Sequence, residues 1–187
     1  MTETKNSTRI VGFHSGHDCA YCVLEDGVPT IHEEYERISR VKEGSGDALN
    51  LYWERTRYPK EVYFAHVMHR PGGARAHYPD SWDTMKKVVE EGGGLYAEPG
   101  HHQSHAANAF FTSDFDDALI VTFDAGGWDY THYLSPKLYG AVTDEKKPIT
   151  VTTTVWRGKD NIISPVALEP WSGLNIGNLW HDILTPV

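Results

Sequence analysis

Cysteine is scarce in this 187-residue chain, with only Cys19 and Cys22. A disulfide framework of the kind that staples small secreted domains is therefore excluded. The two form a lone CxxC, without the two further ligands that four-coordinate structural zinc requires. They lie inside Cys19-Ala-Tyr-Cys-Val-Leu24, an apolar stretch that reads as a strand, and residues three apart on a strand point to opposite faces. We read them as reduced, half-buried core thiols. Long apolar runs are lacking too, and the mean hydropathy is −0.48, so no membrane span is expected. Met1 to Arg9 is polar, without the apolar stretch of a signal peptide, and a cytoplasmic location is expected. Positive charge is the third shortage: 17 Lys+Arg against 26 Asp+Glu give a net charge of −9. Polyanion binding needs clustered cations, so nucleic acid is disfavoured as a partner, although a single nucleotide is not. What is present is 40% hydrophobic and 12% aromatic residues, which excludes a disordered chain. The length suits one domain, or at most two small ones.

The chain opens with three expected strands, Arg9–Phe13, Cys19–Leu24 and Val28–Glu34. Glu25-Asp26-Gly27 makes a hairpin turn between the second and third. A charged stretch, Glu36–Lys42, breaks at Glu43–Gly46, and Asp47 is placed to cap a helix over Ala48–Arg57. Glu61–His66 reads as a strand, and Ser81 or Asp83 caps a helix through Glu91 that Gly92-Gly-Gly94 ends. His101–Phe111 is alanine-rich and reads as a helix. Ala118–Phe123 is a continuous apolar run, read as a central strand buried on both faces. Further strands are expected at Thr131–Leu134, Leu138–Val142 and Ile149–Trp156, with a final helix over Ser172–Leu184. The whole is mixed α/β, a hairpin-rich sheet with helices packed beside it.

The strongest chemical signal is His101-His-Gln-Ser-His105 followed by Asp124. Residues four apart share a helix face, so His101 and His105 can present imidazoles to one ion while His102 points elsewhere. Asp124 ends an apolar strand before Ala125-Gly-Gly127, where a carboxylate can protrude from the sheet edge. Two imidazoles and a carboxylate suit Fe(II), Mn(II) or Zn(II) and leave coordination positions open. The bland alternative is a polar helix face and an Asp that caps a turn; the adjacent His and the Asp-x-Gly-Gly pattern favour the metal. A second candidate is the turn His14-Ser-Gly-His-Asp18. There Gly16 permits close backbone approach to a phosphate, and His17 with Asp18 forms a proton-transfer or orienting pair. A tight turn closed by an Asp hydrogen bond is an equal alternative. Gly126-Gly127 offers another phosphate contact. Third, Arg37, Arg40 and Lys42 gather three cations in an acidic protein, although such a run is usually a solvated face.

These segments together resemble the O-carbamoyltransferases of nodulation-factor and antibiotic biosynthesis. Those enzymes are related to the hydrogenase-maturation carbamoyltransferase and the tRNA threonylcarbamoyl transferases. The resemblance runs collinearly through Val11-Gly-Phe-His-Ser-Gly-His-Asp18, Glu36-Arg-Ile-Ser-Arg-Val-Lys42 and His101-His-Gln-Ser-His-Ala-Ala-Asn-Ala-Phe-Phe111. It continues in Val121-Thr-Phe-Asp124 with Gly126-Gly127, in Thr154-Val-Trp-Arg-Gly158 with Asn161, and in Gly177-Asn-Leu-Trp180. The resemblance implies an actin-like fold of the acetate and sugar kinase, heat-shock-cognate and actin type, built on a ribonuclease-H-like lobe. It implies that residues 1–187 are the N-terminal part of a carbamoyltransferase domain, with the second lobe and the adenylate-forming domain outside this chain.

The same resemblance implies roles. His101, His105 and Asp124 would hold a divalent metal, iron(II) in the first instance. His17 and Asp18 would lie near the carbamoyl group, with His17 as base for the acceptor hydroxyl, and Lys42 would offset negative charge. His14, Gly16, Gly126 and Gly127 would contact an ATP-derived carbamoyl adenylate. The expected partners are a carbamoyl donor, a small hydroxyl acceptor and the remaining C-terminal polypeptide, with a modified base left open as the acceptor. Two alternatives stand beside this one. One is a non-catalytic metal- or nucleotide-binding module. The other is a threonylcarbamoyl-type transferase on tRNA, which the charge of −9 disfavours.

Overall fold

The computed structural model describes residues 8–15, 18–48, 51–52, 63–66, 87, 91, 95–97, 99–130 and 148–170. The chain divides into two compact units, Met1–Glu98 and Pro99–Val187. The strands expected at 131–134 and 138–142 and the helix at 172–184 lie outside the described residues, as does most of the helix up to Glu91.

In the first unit, β1 (Arg9–His14), β2 (Ala20–Glu25) and β3 (Val28–Glu34) form an antiparallel meander. The turn between β2 and β3 is Asp26-Gly27, both at positive φ (51° and 82°). That conformation matches the twist of the strands it joins and favours Asp-Gly. The Asp26 carboxylate also accepts the Thr8 N–H at 2.9 Å, tying the turn to the start of β1. Beyond β1 the sheet continues in parallel with β4 (Tyr63–His66) and β5 (Tyr96–Ala97), in the order β3-β2-β1-β4-β5. A one-and-a-half-turn helix, α1 (Tyr35–Ser39), follows β3 and ends with Arg40 in the left-handed region. Ala48, Leu51 and Tyr52 are helical, and the rest of the helix expected over Ala48–Arg57 lies outside the described residues.

Alternation decides the core of this unit. Val11 and Phe13 of β1 and Tyr21 and Val23 of β2 point inward, onto Ala48, Leu51 and Tyr52. Cys19 lies with them, 1% exposed, while Cys22 faces the other way and is half-buried. Both thiols are free, and burial pushes Cys19 up to about 12, with the nearby Asp47 charge adding to the effect. These are core thiols, as expected.

Among the described residues the second unit is a three-stranded antiparallel sheet with a helix on one face. The helix is α2 (His101–Phe111), and the strands are β6 (Asp117–Tyr130), β7 (Pro148–Lys159) and β8 (Ile162–Pro170), in that order. His102, Ala106 and Phe110, four apart, are the buried face of α2. Ala106 and Phe110 pack with Ile120 and Trp156, flanked by Ala118 and Ile163. Gly158 is bare where the Phe110 ring lies on β7: a Cβ there would stand 2.5 Å from Phe110 Cδ2. Trp156 Nε1 donates to Thr154 Oγ1 at 2.5 Å, and the Thr154 and Thr122 hydroxyls meet at 2.6 Å. Arg157 grips Asp117 through Nε and Nη2 at 3.1 and 2.8 Å. The Trp-Arg-Gly stretch is thus explained by packing: a core ring, a cross-strand ion pair and a cleared backbone.

Two expectations change here. β6 is not buried on both faces: Ile120 and Thr122 face α2, whereas Leu119, Val121 and Phe123 are exposed. A continuous apolar run fits either a doubly covered strand or one covered on a single side, and among the described residues only the α2 side of β6 is covered. Nor does β6 end at Phe123. It continues to Tyr130 through a bulge: Phe123 pairs with Thr153 and Gly127 with Val151, so residues 124–126 stand opposite Thr152 alone.

Candidate metal centre

Helix α2 and strand β6 supply the ligands. His101 opens the helix and His105 lies one turn on, which brings both Nε2 atoms to one side, 3.1 Å apart. The bulge in β6 lifts Asp124 out of the ladder, and its Oδ2 stands 2.5 Å from His101 Nε2 and 3.8 Å from His105 Nε2. All three donor atoms lie within 4.8 Å of one another. Ligands held ~2.1 Å from one ion at tetrahedral or octahedral angles stand roughly 3.0–3.4 Å apart, and the observed spacings bracket that range. A single proton on His101 Nε2 cannot satisfy both neighbours, whereas a cation among the three can be shared by all. The residues fit a divalent ion by donor type and by spacing.

The charge state suits this role. Hydrogen bonds from His101, then His105, hold the Asp124 carboxyl well below the usual carboxylate range, against an opposing effect of partial burial. The Ala125 N–H adds a further donor to Oδ1 at 2.6 Å. His101 is largely covered, Asp124 about one-third exposed and His105 about half exposed. One side of the cluster is therefore open to an incoming ligand.

Around this cluster lies a buried layer that sequence reasoning missed. His102 turns inward, as its position predicts, and its Nδ1 donates to Asp129 Oδ2 at 2.8 Å. Both side chains are buried, 0% and 2% exposed. The same carboxylate accepts the backbone N–H groups of His102 at 3.2 Å and Gln103 at 3.3 Å. His102 Nε2 is buried with no partner among the described residues. The available signals were the His-His doublet and a second aspartate five residues after Asp124. Gly127 also has a defined neighbour: a Cβ there would lie 2.2 Å from His101 Cδ2. Its bare backbone seats the His101 ring, while Gly126 is exposed.

The other candidates belong to the first unit. His14 ends β1 opposite Ala20, and Asp18 lies in the turn that follows, exposed and at φ 53°. Gly16 and His17 lie outside the described residues. Lys42 is 87% exposed and stands 3.9 Å from Glu43. Arg37 pairs with Glu34 at 3.0 Å and with Glu36 at 3.8 Å. These cations are solvated and meet carboxylates of their own segment.

The fold and the cluster define an α/β protein with a His/His/Asp site able to hold a metal ion. No protein-family model matches the chain. It is similar to the uncharacterized protein sll1178 of Synechocystis sp., with 35% identity over 66 residues. The matched stretch covers 35% of this chain and 7% of that protein. No helix of the described residues is long and apolar enough to cross a membrane.

Proposed function

We propose that this chain is the N-terminal part of an O-carbamoyltransferase whose divalent metal, iron(II) in the first instance, is held by His101, His105 and Asp124. The observation that carries the reading is the convergence of those three donor atoms within 4.8 Å, at the residues where the sequence resemblance places the ligands. The sheet order β3-β2-β1-β4-β5, in which β2 alone runs against the rest, supports an actin-like, ribonuclease-H-like lobe. The open side beside His105 supports a ligand reaching the ion. When bound, the ion would polarise the carbamoyl donor and offset phosphate charge.

In this reading the chain's own residues do the rest. The acceptor oxygen attacks the carbamoyl carbon of carbamoyl adenylate, the bond to the phosphate oxygen breaks and AMP leaves. The resemblance assigns the acceptor proton to His17, with Asp18 as its partner. It assigns charge compensation on the donor to Lys42, and the adenylate to His14, Gly16 and Gly126. Gly127 acts one step back from the donor, by seating His101.

The test is metal content and donor binding on anaerobically purified protein, wild type beside His105→Ala and Asp124→Ala. The expected result is about one ion per chain, lost in both variants, and saturable binding of carbamoyl adenylate to the metal-loaded wild type. Folded wild-type protein that takes up no divalent ion would refute the metal site. Metal without adenylate binding would leave a metal-binding module and refute carbamoyl transfer.

A further inference from the structure

The first N–H groups of a helix have no partner within it, and they are usually met by the side chain of the residue before. Before α2 that residue is Gly100, which has none. The partner comes instead from another element: the Asp129 carboxylate on β6 takes the N–H of His102, the N–H of Gln103 and the Nδ1–H of His102. Gly100 must be bare for this, since a Cβ there would stand 2.1 Å from Asp129 Oδ1. Two residues before Asp129, Gly127 receives the His101 ring against naked backbone. Three residues before that, Asp124 meets His101 Nε2. His101 is therefore fixed by one strand at three points: at its ring edge, at its coordinating nitrogen and through the peptide that follows it. Asp129 is 1% exposed, so its hydrogen bonds face no competition from water.

We propose that Asp129 is the positioning residue of the metal centre, docking the first turn of α2 onto β6 so that His101 meets Asp124, with Gly127 as the seat of the ring. The inference rests on the metal reading given above. Residues that orient metal ligands typically change metal affinity by about 10- to 100-fold when removed, and that is the loss expected here.

Cobalt(II) is the probe, titrated into the full chain and followed by its visible absorption, with thermal unfolding of the metal-free protein measured in parallel. Gly127→Ala should weaken cobalt binding by at least about 10-fold. Asp129→Ala should lose both affinity and stability, because a cap and a tether disappear together. The deciding variant is Gly100→Ser combined with Asp129→Ala. Its serine can cap the helix from the ordinary position, but cannot tie it to β6. Stability should return while cobalt affinity stays low. Recovery of both would show that Asp129 only caps the helix and would overturn the proposal while leaving the metal site standing. Unchanged affinity in Gly127→Ala would overturn it too, and that variant decides alone should the Asp129 variants not fold. Wild-type protein that is folded yet binds no cobalt refutes the metal site itself, and this inference with it.

Discussion

Replacing Gly158 with alanine tests whether α2 is held as closely to its sheet as the packing indicates. The added Cβ would stand 2.5 Å from Phe110 Cδ2 and 2.6 Å from Cε2 and Cγ. Carbon atoms settle at about 3.5–4.0 Å, so the ring or the strand must give way by roughly 1 Å. Forcing one methyl group into a filled core costs about 1–3 kcal/mol. At about 2–4 °C per kcal/mol for a chain of this size, the midpoint of thermal unfolding should fall by roughly 2–12 °C. Gly12→Ala is the control, since a Cβ there meets nothing within 4 Å. Urea denaturation of both variants, with Phe110→Leu and the Gly158→Ala/Phe110→Leu double variant, completes the test. Shortening the ring should relieve the clash and give a coupling of about 0.5–3 kcal/mol. Because Phe110 shares α2 with His101 and His105, metal affinity should drop alongside stability in Gly158→Ala. Gly158→Ala as stable as Gly12→Ala, or effects that simply add with Phe110→Leu, would refute the packing argument.

Other expectations follow from the buried polar and thiol groups. Thr154→Val leaves the Trp156 Nε1–H without its acceptor and should cost about 1–3 kcal/mol, read as a lower urea midpoint with an unchanged slope. Because the folded-state value of Cys19 is raised from near 9 to about 12, the unfolded chain ionises first as pH rises. Stability should therefore be level with respect to this thiol below about pH 9 and fall above it by at most about 1.4 kcal/mol per pH unit. Cys19→Ala should flatten that alkaline slope; an identical slope in the variant would refute the assignment. At pH 8 in native protein, iodoacetamide should label Cys22 before Cys19, as mass spectrometry of the digested protein would show. Diamide should not join the two, because they face opposite sides of the sheet.

Much of this fold was legible where local chemistry and packing agree. The Asp26-Gly27 hairpin follows from the positive φ that both positions need. The His/His/Asp cluster was legible because i,i+4 spacing and a carboxylate after an apolar run are both visible in a linear sequence, although the strand runs on past Asp124 through a bulge. β8 was not, because Pro165 and Pro170 interrupt its pattern. The structure accommodates Pro165 opposite Trp156 on a strand at the sheet's edge, where the register shifts between Val155 and Trp156; edges and bulges are where proline is tolerated. The Asp129 layer was hidden for a different reason. On β6 the side chains facing α2 are Ala118, Ile120 and Thr122 before the bulge, but Gly127 and Asp129 after it. Strict alternation would turn both of the latter outward, so an inward aspartate could not be read from period two.

That switch of faces has a consequence for how the gene can vary. Surface loops usually absorb insertions and deletions, and the stretch Asp124–Gly126 looks like such a loop in sequence. Here it acts as a fixed-length spacer. Losing one of its three residues would shorten the span between Asp124 and Gly127, so that the carboxylate, the seat of His101 and the anchor of α2 could no longer all keep their places on one strand. Homologous chains that keep this centre should therefore tolerate substitution at Ala125 far better than any change in the count of residues between Phe123 and Gly127.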